Sequence, residues 1–182
     1  MDQGAEQYRR YLSGEDSGLV EIIRLYQNGL ILFLNRYVRN FHAAEEIAED
    51  TFFRLAVKKP RYEPRSSFKT WLYTIGRNQA LNYLKRHSRT VSLEKAQELA
   101  ELESVENAFL REERQQQIHR ALDSLNDSYA QALYLKYFEE MSNEEIASVM
   151  RKNRRQIENL LYQARRALRA SLEQEGFTYE EL

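Results

Sequence analysis

Turn-forming residues are scarce in this chain, with two prolines and six glycines in 182 residues. Glycine and proline punctuate strands and tight hairpins, so their scarcity favours an all-helical fold. The apolar spacing agrees. Between residues 19 and 38, apolar side chains stand at 19, 20, 22, 23, 26, 30, 33, 34 and 37. This is a helix period with a broad buried face. A second helix is expected over 43–57, with Ile47, Phe52, Leu55 and Ala56 inward and Asn40 and His42 in the turn before it. Pro60 and Pro64 turn the residues before them away from helix, which places a loop at 58–64. Ser66 or Ser67 can then cap a third helix over 68–87.

A further amphipathic helix is expected over 113–125, through Ile118, Ala121, Leu122 and Leu125. Asp127 can cap the next, with Ala130, Leu133, Tyr134, Leu135, Tyr137 and Phe138 as its buried positions. Ser142 with Glu145 makes a capping box, and Asn153 with Gln156 repeats the pattern. Ile157, Leu161, Ala164 and Leu168 then share one face of a last helix. The expected fold class is all-α, with two small helical domains joined by a linker. The domains are 1–90 and 113–175, the linker is 91–112, the tail is 176–182, and the second domain contains a helix-turn-helix.

Charge narrows the function. The net charge is −1, yet from 64 to 93 there is no acid, and from 151 to 169 seven cations face one acid, Glu158. Between the two blocks lies a run of glutamates. Two basic surfaces split by an acidic tether suit two contacts with a polyanion. Cysteine is absent, which excludes disulfides and thiolate chemistry. The first residues carry neither a basic nor an apolar segment, and the longest apolar run is 30–34. The expectation is a soluble cytoplasmic protein without membrane insertion.

Two constellations carry function. In the helix-turn-helix, the second helix offers Arg154, Arg155, Gln156, Asn159, Tyr162, Gln163 and Arg166 to a major groove. Arginine binds phosphate or guanine there, and Asn or Gln pairs with adenine. The third helix interleaves Phe68, Trp71, Tyr73 and Tyr83 with Lys69, Arg77, Lys85 and Arg86, plus the amides Asn78, Gln79 and Asn82. Such a mixture suits unpaired DNA, with aromatics on bases and cations along the backbone. The competing reading buries Phe68, Trp71 and Leu72 in the core and leaves the cations merely solvated. On the second helix, Glu45, Glu46, Glu49 and Asp50 beside Phe53 can form a protein-docking face.

Three stretches carry a family resemblance. AEEIAEDTFFRLA (44–56) resembles the polymerase-binding helix of bacterial sigma factors. SFKTWLYTIGRNQALNYLKRHSR (67–89) is similar to their promoter-melting, minus-ten-reading helix. The stretch 121–168 resembles their minus-thirty-five-reading domain. Two domains without a middle one point to the extracytoplasmic-function (ECF) class. The recognition stretch departs from the family pattern, with Glu158 in place of a common cation and Leu160 in place of a common arginine.

The resemblance implies roles. Glu45, Glu46, Glu49, Asp50 and Phe53 would dock on the clamp helices of core RNA polymerase. The loop holding Arg61, Arg65, Ser66 and Ser67 would enclose a flipped minus-ten base, with Asn78 and Asn82 beside it and Trp71 supporting the loop. Phe68, Lys69, Tyr73, Arg77, Tyr83, Lys85 and Arg86 complete the expected minus-ten surface. Glu158 joins the groove-facing set at the minus-thirty-five duplex. The second domain would also hold the polymerase flap, and the acidic linker would thread the RNA exit channel. An anti-sigma factor is a further possible partner. No catalytic residue, metal site or cofactor is expected. His42, His87 and His119 are scattered without metal-ligand spacing. The alternative is a helix-turn-helix regulator with a helical sensor domain, which leaves the aromatic basic helix without a use.

Overall fold

A computed structural model describes residues 2–87 and 113–174 and contains, among these, eight helices and no strand. The N-terminal unit holds α1 (Gln3–Leu12), α2 (Asp16–Val38), α3 (Phe41–Lys58) and α4 (Phe68–His87). The C-terminal unit holds α5 (Glu113–Asp123), α6 (Asp127–Tyr137), α7 (Asn143–Met150) and α8 (Arg154–Gln174). The acidic stretch expected at 91–112 and the tail at 176–182 lie outside the described residues.

Local chemistry sets the helix ends. Asn40 accepts from the Ala43 N–H at 2.8 Å and so starts α3, which puts His42 inside the helix and not in a turn. Ser67 accepts from Thr70 N–H at 3.2 Å at the start of α4. The cap of α6 is Asn126, which accepts from Tyr129 N–H at 3.1 Å, and not the expected Asp127. Asp127 instead takes an ion pair from Arg39 at 2.5 Å. Both expected capping boxes are present. Ser142 and Glu145 exchange bonds of 3.2 and 2.9 Å, and Asn153 and Gln156 exchange bonds of 2.8 and 2.9 Å.

Helix α2 is the axis of the molecule, packing on α1, α3, α4 and α6. Every residue from 30 to 37 is buried. Its length and composition would also suit a membrane span, but here that apolar stretch is core. Leu30, Phe33, Leu34, Leu55 and Leu72 are fully enclosed. Each such side chain contributes about 1.5–3 kcal/mol through burial. Helix α1 was not anticipated from the sequence. It is mostly polar, and Tyr8 and Tyr11 anchor it by donating to the carbonyls of Pro60 and Ala56 at 2.7 and 2.9 Å. Tyr137 and Phe138, expected inside, are 55% and 38% exposed because α6 ends there and the chain turns outward.

The two units meet along a seam with many polar contacts. Arg36, itself buried, reaches Asp123 and the Nδ1 of His119. Gln131 donates to the Arg36 carbonyl at 3.3 Å, and Tyr134 donates to the Gly29 carbonyl at 3.2 Å. Lys69 pairs with the buried Glu139 at 2.6 Å. Ser67 and Thr70 donate to the Glu145 carboxylate at 2.7 and 3.1 Å. Burial alone would raise the pKa of Glu145. The Ser67 hydroxyl, the Ser142 backbone and hydroxyl, and the Thr70 hydroxyl together hold it below the usual carboxylate range.

Candidate nucleic-acid interface

Helix α4 presents two faces, and its period explains which residue lies on which. At about 100° per residue, Trp71, Asn78, Asn82 and Lys85 fall along one side, while Lys69, Tyr73 and Arg77 fall on the other. The first side is half-buried at Trp71 and Asn78 and exposed at Asn82 and Lys85. The second turns to the C-terminal unit. There Lys69 meets Glu139, and Arg77 donates to the Met150 carbonyl and the Tyr37 hydroxyl, both at 3.3 Å. The two sides are therefore not equally available to a ligand.

Two residues of the expected minus-ten surface belong to the core. Phe68 and Tyr73 are each 0% exposed. Phe68 packs between Tyr8, Tyr26, Tyr62 and Trp71, with centroid distances of 5.4–5.9 Å. Tyr73 lies on Phe33 at 5.3 Å, and burial raises its pKa well above the ordinary phenol value, followed by the Glu139 charge. A ring enclosed on all sides cannot stack on a base, so neither can act as expected in this arrangement. An alternating aromatic–cation pattern marks an amphipathic helix without saying which aromatics face inward.

The loop before α4 is held by its own side chains. Tyr62 donates to the Ser66 carbonyl at 2.6 Å, and its ring sits 5.2 Å from Trp71. Arg61 and Arg65 project outward at 87% and 89% exposure, flanking Glu63 at 3.7 and 3.2 Å. Ser66 is half-buried, and Ser67 is engaged with Glu145. At the far end of α4, Asn82, Tyr83 and Arg86 join Glu46, Asp50 and Gln79 around an open groove of about 380 Å³ between α3 and α4. Tyr83 stacks on His87 at 3.9 Å.

In the helix-turn-helix, Arg151 at φ 53° closes α7, and α8 buries Ile157, Leu161 and Ala164. All eight expected groove residues are exposed: Arg154, Arg155, Gln156, Glu158, Asn159, Tyr162, Gln163 and Arg166. Three, Arg154, Gln156 and Glu158, are already committed within the protein. Arg154 is held by Glu144 at 2.6 Å and by Glu158 at 2.8 Å, and the bond to Glu158 is the first cause of its raised pKa. The Gln156 carbonyl oxygen caps α8 through Asn153 N–H. Glu158, the departure from the family pattern, thus has a local partner one turn away.

On α3, Glu46, Glu49 and Asp50 are exposed, and Glu45 is half-buried beside His42 at 3.3 Å. Phe53 is 65% exposed. Val57, one turn on, is 57% exposed and extends the apolar strip, a residue that sequence reasoning missed. Its signal was a bulky apolar residue four positions after Phe53 and out of phase with Leu55. No group of three or more metal-ligating side chains is present among the described residues.

Two family models match the chain: "Sigma-70 region 2" over residues 22–90 and "Sigma-70, region 4" over residues 115–168. The RNA polymerase sigma-H factor of Pseudomonas aeruginosa is 27% identical over 95% of this chain and 95% of its own length. The ECF RNA polymerase sigma factor SigM of Bacillus subtilis is 28% identical, covering 82% of this chain and 92% of SigM. Two solved structures share the fold. One is the sigma factor RpoE of Bartonella quintana bound to the anti-sigma factor NepR, with a TM-score of 0.65, 21% identity, and coverage of 84% of this chain and 95% of RpoE. The other is CnrH with the cytosolic domain of CnrY, with a TM-score of 0.63, 18% identity, and coverage of 94% and 95%.

Proposed function

The chain belongs to the sigma-70 family, in its extracytoplasmic-function class, and we propose that it directs core RNA polymerase to promoters by gripping the same DNA in two strand states. The exposed face of α8, with Arg155, Asn159, Tyr162, Gln163 and Arg166, holds the minus-thirty-five duplex. The loop at 60–67 and the open side of α4, with Trp71, Asn78 and Asn82, hold unpaired minus-ten bases. Helix α3 docks on the polymerase clamp through Glu46, Glu49, Asp50, Phe53 and Val57. An anti-sigma factor, of the kind seen on the Bartonella relative, is a further partner. The protein acts in the cytoplasm, where the polymerase works.

The observation that carries this reading is the half-open side of α4. A partly exposed tryptophan, two amides at i+7 and i+11 and a loop bearing two outward arginines lie together. Stacking contributes about 1–3 kcal/mol per base. That offsets an unstacking cost of a few kcal/mol when amides and cations add to it. Engaging Lys69, Ser67 or Arg77 on DNA requires the C-terminal unit to lift from α4, because those side chains are now bonded to it.

Reconstituted transcription with core polymerase on a library of pre-melted promoters tests the reading. Redirection of core enzyme to a promoter subset is the expected result. Tight duplex binding by the chain alone, with no redirection, would instead favour a conventional regulator. Asn78→Ala should weaken the open complex about tenfold, the equivalent of one lost polar contact, and leave the closed complex within twofold. Equal loss in both would remove base capture from the account.

A further inference from the structure

Asp2 ties two distant helices together. Its Oδ1 accepts from Ala5 N–H at 3.1 Å and caps α1. Its Oδ2 accepts from the N–H of Phe68, the first residue of α4, at 2.6 Å. The Tyr8 hydroxyl donates to the Pro60 carbonyl at 2.7 Å. Helix α1 therefore fixes both ends of the 60–67 loop, the entry through Tyr8 and the exit through Asp2. The contact is close: a Cβ on Gly4 would stand 2.4 Å from Cδ1 of Phe68. Between these anchors, Tyr62 folds the loop onto Trp71.

A loop pinned at both ends does not have to be ordered when its ligand arrives. Ordering free backbone and side chains opposes binding, and prior fixation removes that cost. We propose that Asp2 and Tyr8 are positioning residues for base capture: α1 is a brace that holds the 60–67 loop in the shape that receives an unpaired base. Neither touches the DNA. This rests on the reading that the loop and α4 capture such a base.

The test uses the full chain with core polymerase. A forked promoter carries a single abasic site, moved position by position through the minus-ten strand. Open-complex half-life is measured for the wild type, Asp2→Ser and Tyr8→Phe. Serine is a strong helix cap, so it keeps the end of α1, but its single shorter oxygen cannot also reach Phe68. Phenylalanine keeps the ring packing and loses only the hydroxyl. On intact DNA each variant should shorten the half-life about five- to tenfold, the effect of one lost hydrogen bond. On DNA lacking the captured base, variants and wild type should match, because nothing remains to be positioned. The same loss on intact and abasic DNA would reduce α1 to a support for the fold and overturn the brace. A wild type indifferent to abasic sites everywhere would overturn base capture itself, and the brace with it. Should Asp2→Ser fail to fold by circular dichroism, Tyr8→Phe decides alone.

Discussion

His119 should make the protein lose stability in mild acid. Its ring lies on α5 at the seam, 3% exposed, against Tyr134 and Phe138 at centroid distances of 6.1 and 4.9 Å. Arg36 approaches its Nδ1, and Asp123 holds the same guanidinium. Burial first, and the Arg36 cation second, push the imidazole pKa down from 6.5 to about 3. The unfolded chain takes up a proton near pH 6.5, and the folded one only near 3. Between those values the unfolded state binds more protons, so stability is full above about 6.5 and falls with pH toward 3. At 1.36 kcal/mol per pH unit, the step from pH 7 to pH 5 costs about 2 kcal/mol. With a urea dependence of about 2 kcal/mol per molar, the unfolding midpoint should drop by about 1 M. Urea curves at pH 7, 6 and 5 for the wild type and His119→Gln measure this. Glutamine keeps an acceptor for Arg36 but takes no proton. If both proteins lose the same stability across that window, the imidazole is not the group that titrates, and its enclosure at the seam is wrong.

Three further outcomes are expected. Asn126→Ala should cost about 1 kcal/mol in urea unfolding as a lost cap, and Asp127→Ala less than that as a lost exposed ion pair; the reverse order would return the cap to Asp127. Gly29→Ala should destabilise by about 2 kcal/mol, because its Cβ would stand 2.3 Å from the Glu139 carboxylate and 2.6 Å from the enclosed Tyr73 hydroxyl. A melting temperature unchanged from the wild type would contradict that packing. Phe53→Ala and Val57→Ala should each weaken core-polymerase binding about tenfold in a titration while leaving the melting temperature nearly unchanged, since both side chains face solvent.

What the sequence made legible was what is local. The capping boxes at Ser142 and Asn153 span three residues each, so their chemistry can be read off directly. The α4 helix followed from its cap serine and its period. Helix α1 escaped notice because its anchors are remote: Tyr8 meets Pro60, 52 residues away. The seam escaped for the same reason, since Lys69 finds Glu139 only after two units have packed. The sequence offers Lys69 and Arg77 as cations for DNA, whereas the fold gives them protein partners first. The sequence leaves Phe68 between core and DNA surface and puts Tyr73 on the DNA surface, because aromatic content does not reveal orientation on a helix that packs on more than one side; both are core. The exposed face of α8 is legible as a face, but not the internal commitment of Arg154, Gln156 and Glu158.

That commitment of Arg154 alters how a grip on DNA would respond to ionic strength. A duplex sheds condensed counterions for each phosphate that a protein cation neutralises, and the number shed sets the slope of affinity against salt. A guanidinium already balanced by Glu144 and Glu158 brings little uncompensated charge to a phosphate. The α8 helix should therefore release fewer ions than a count of its arginines suggests, and its hold on a promoter should be correspondingly less sensitive to the salt of the cell.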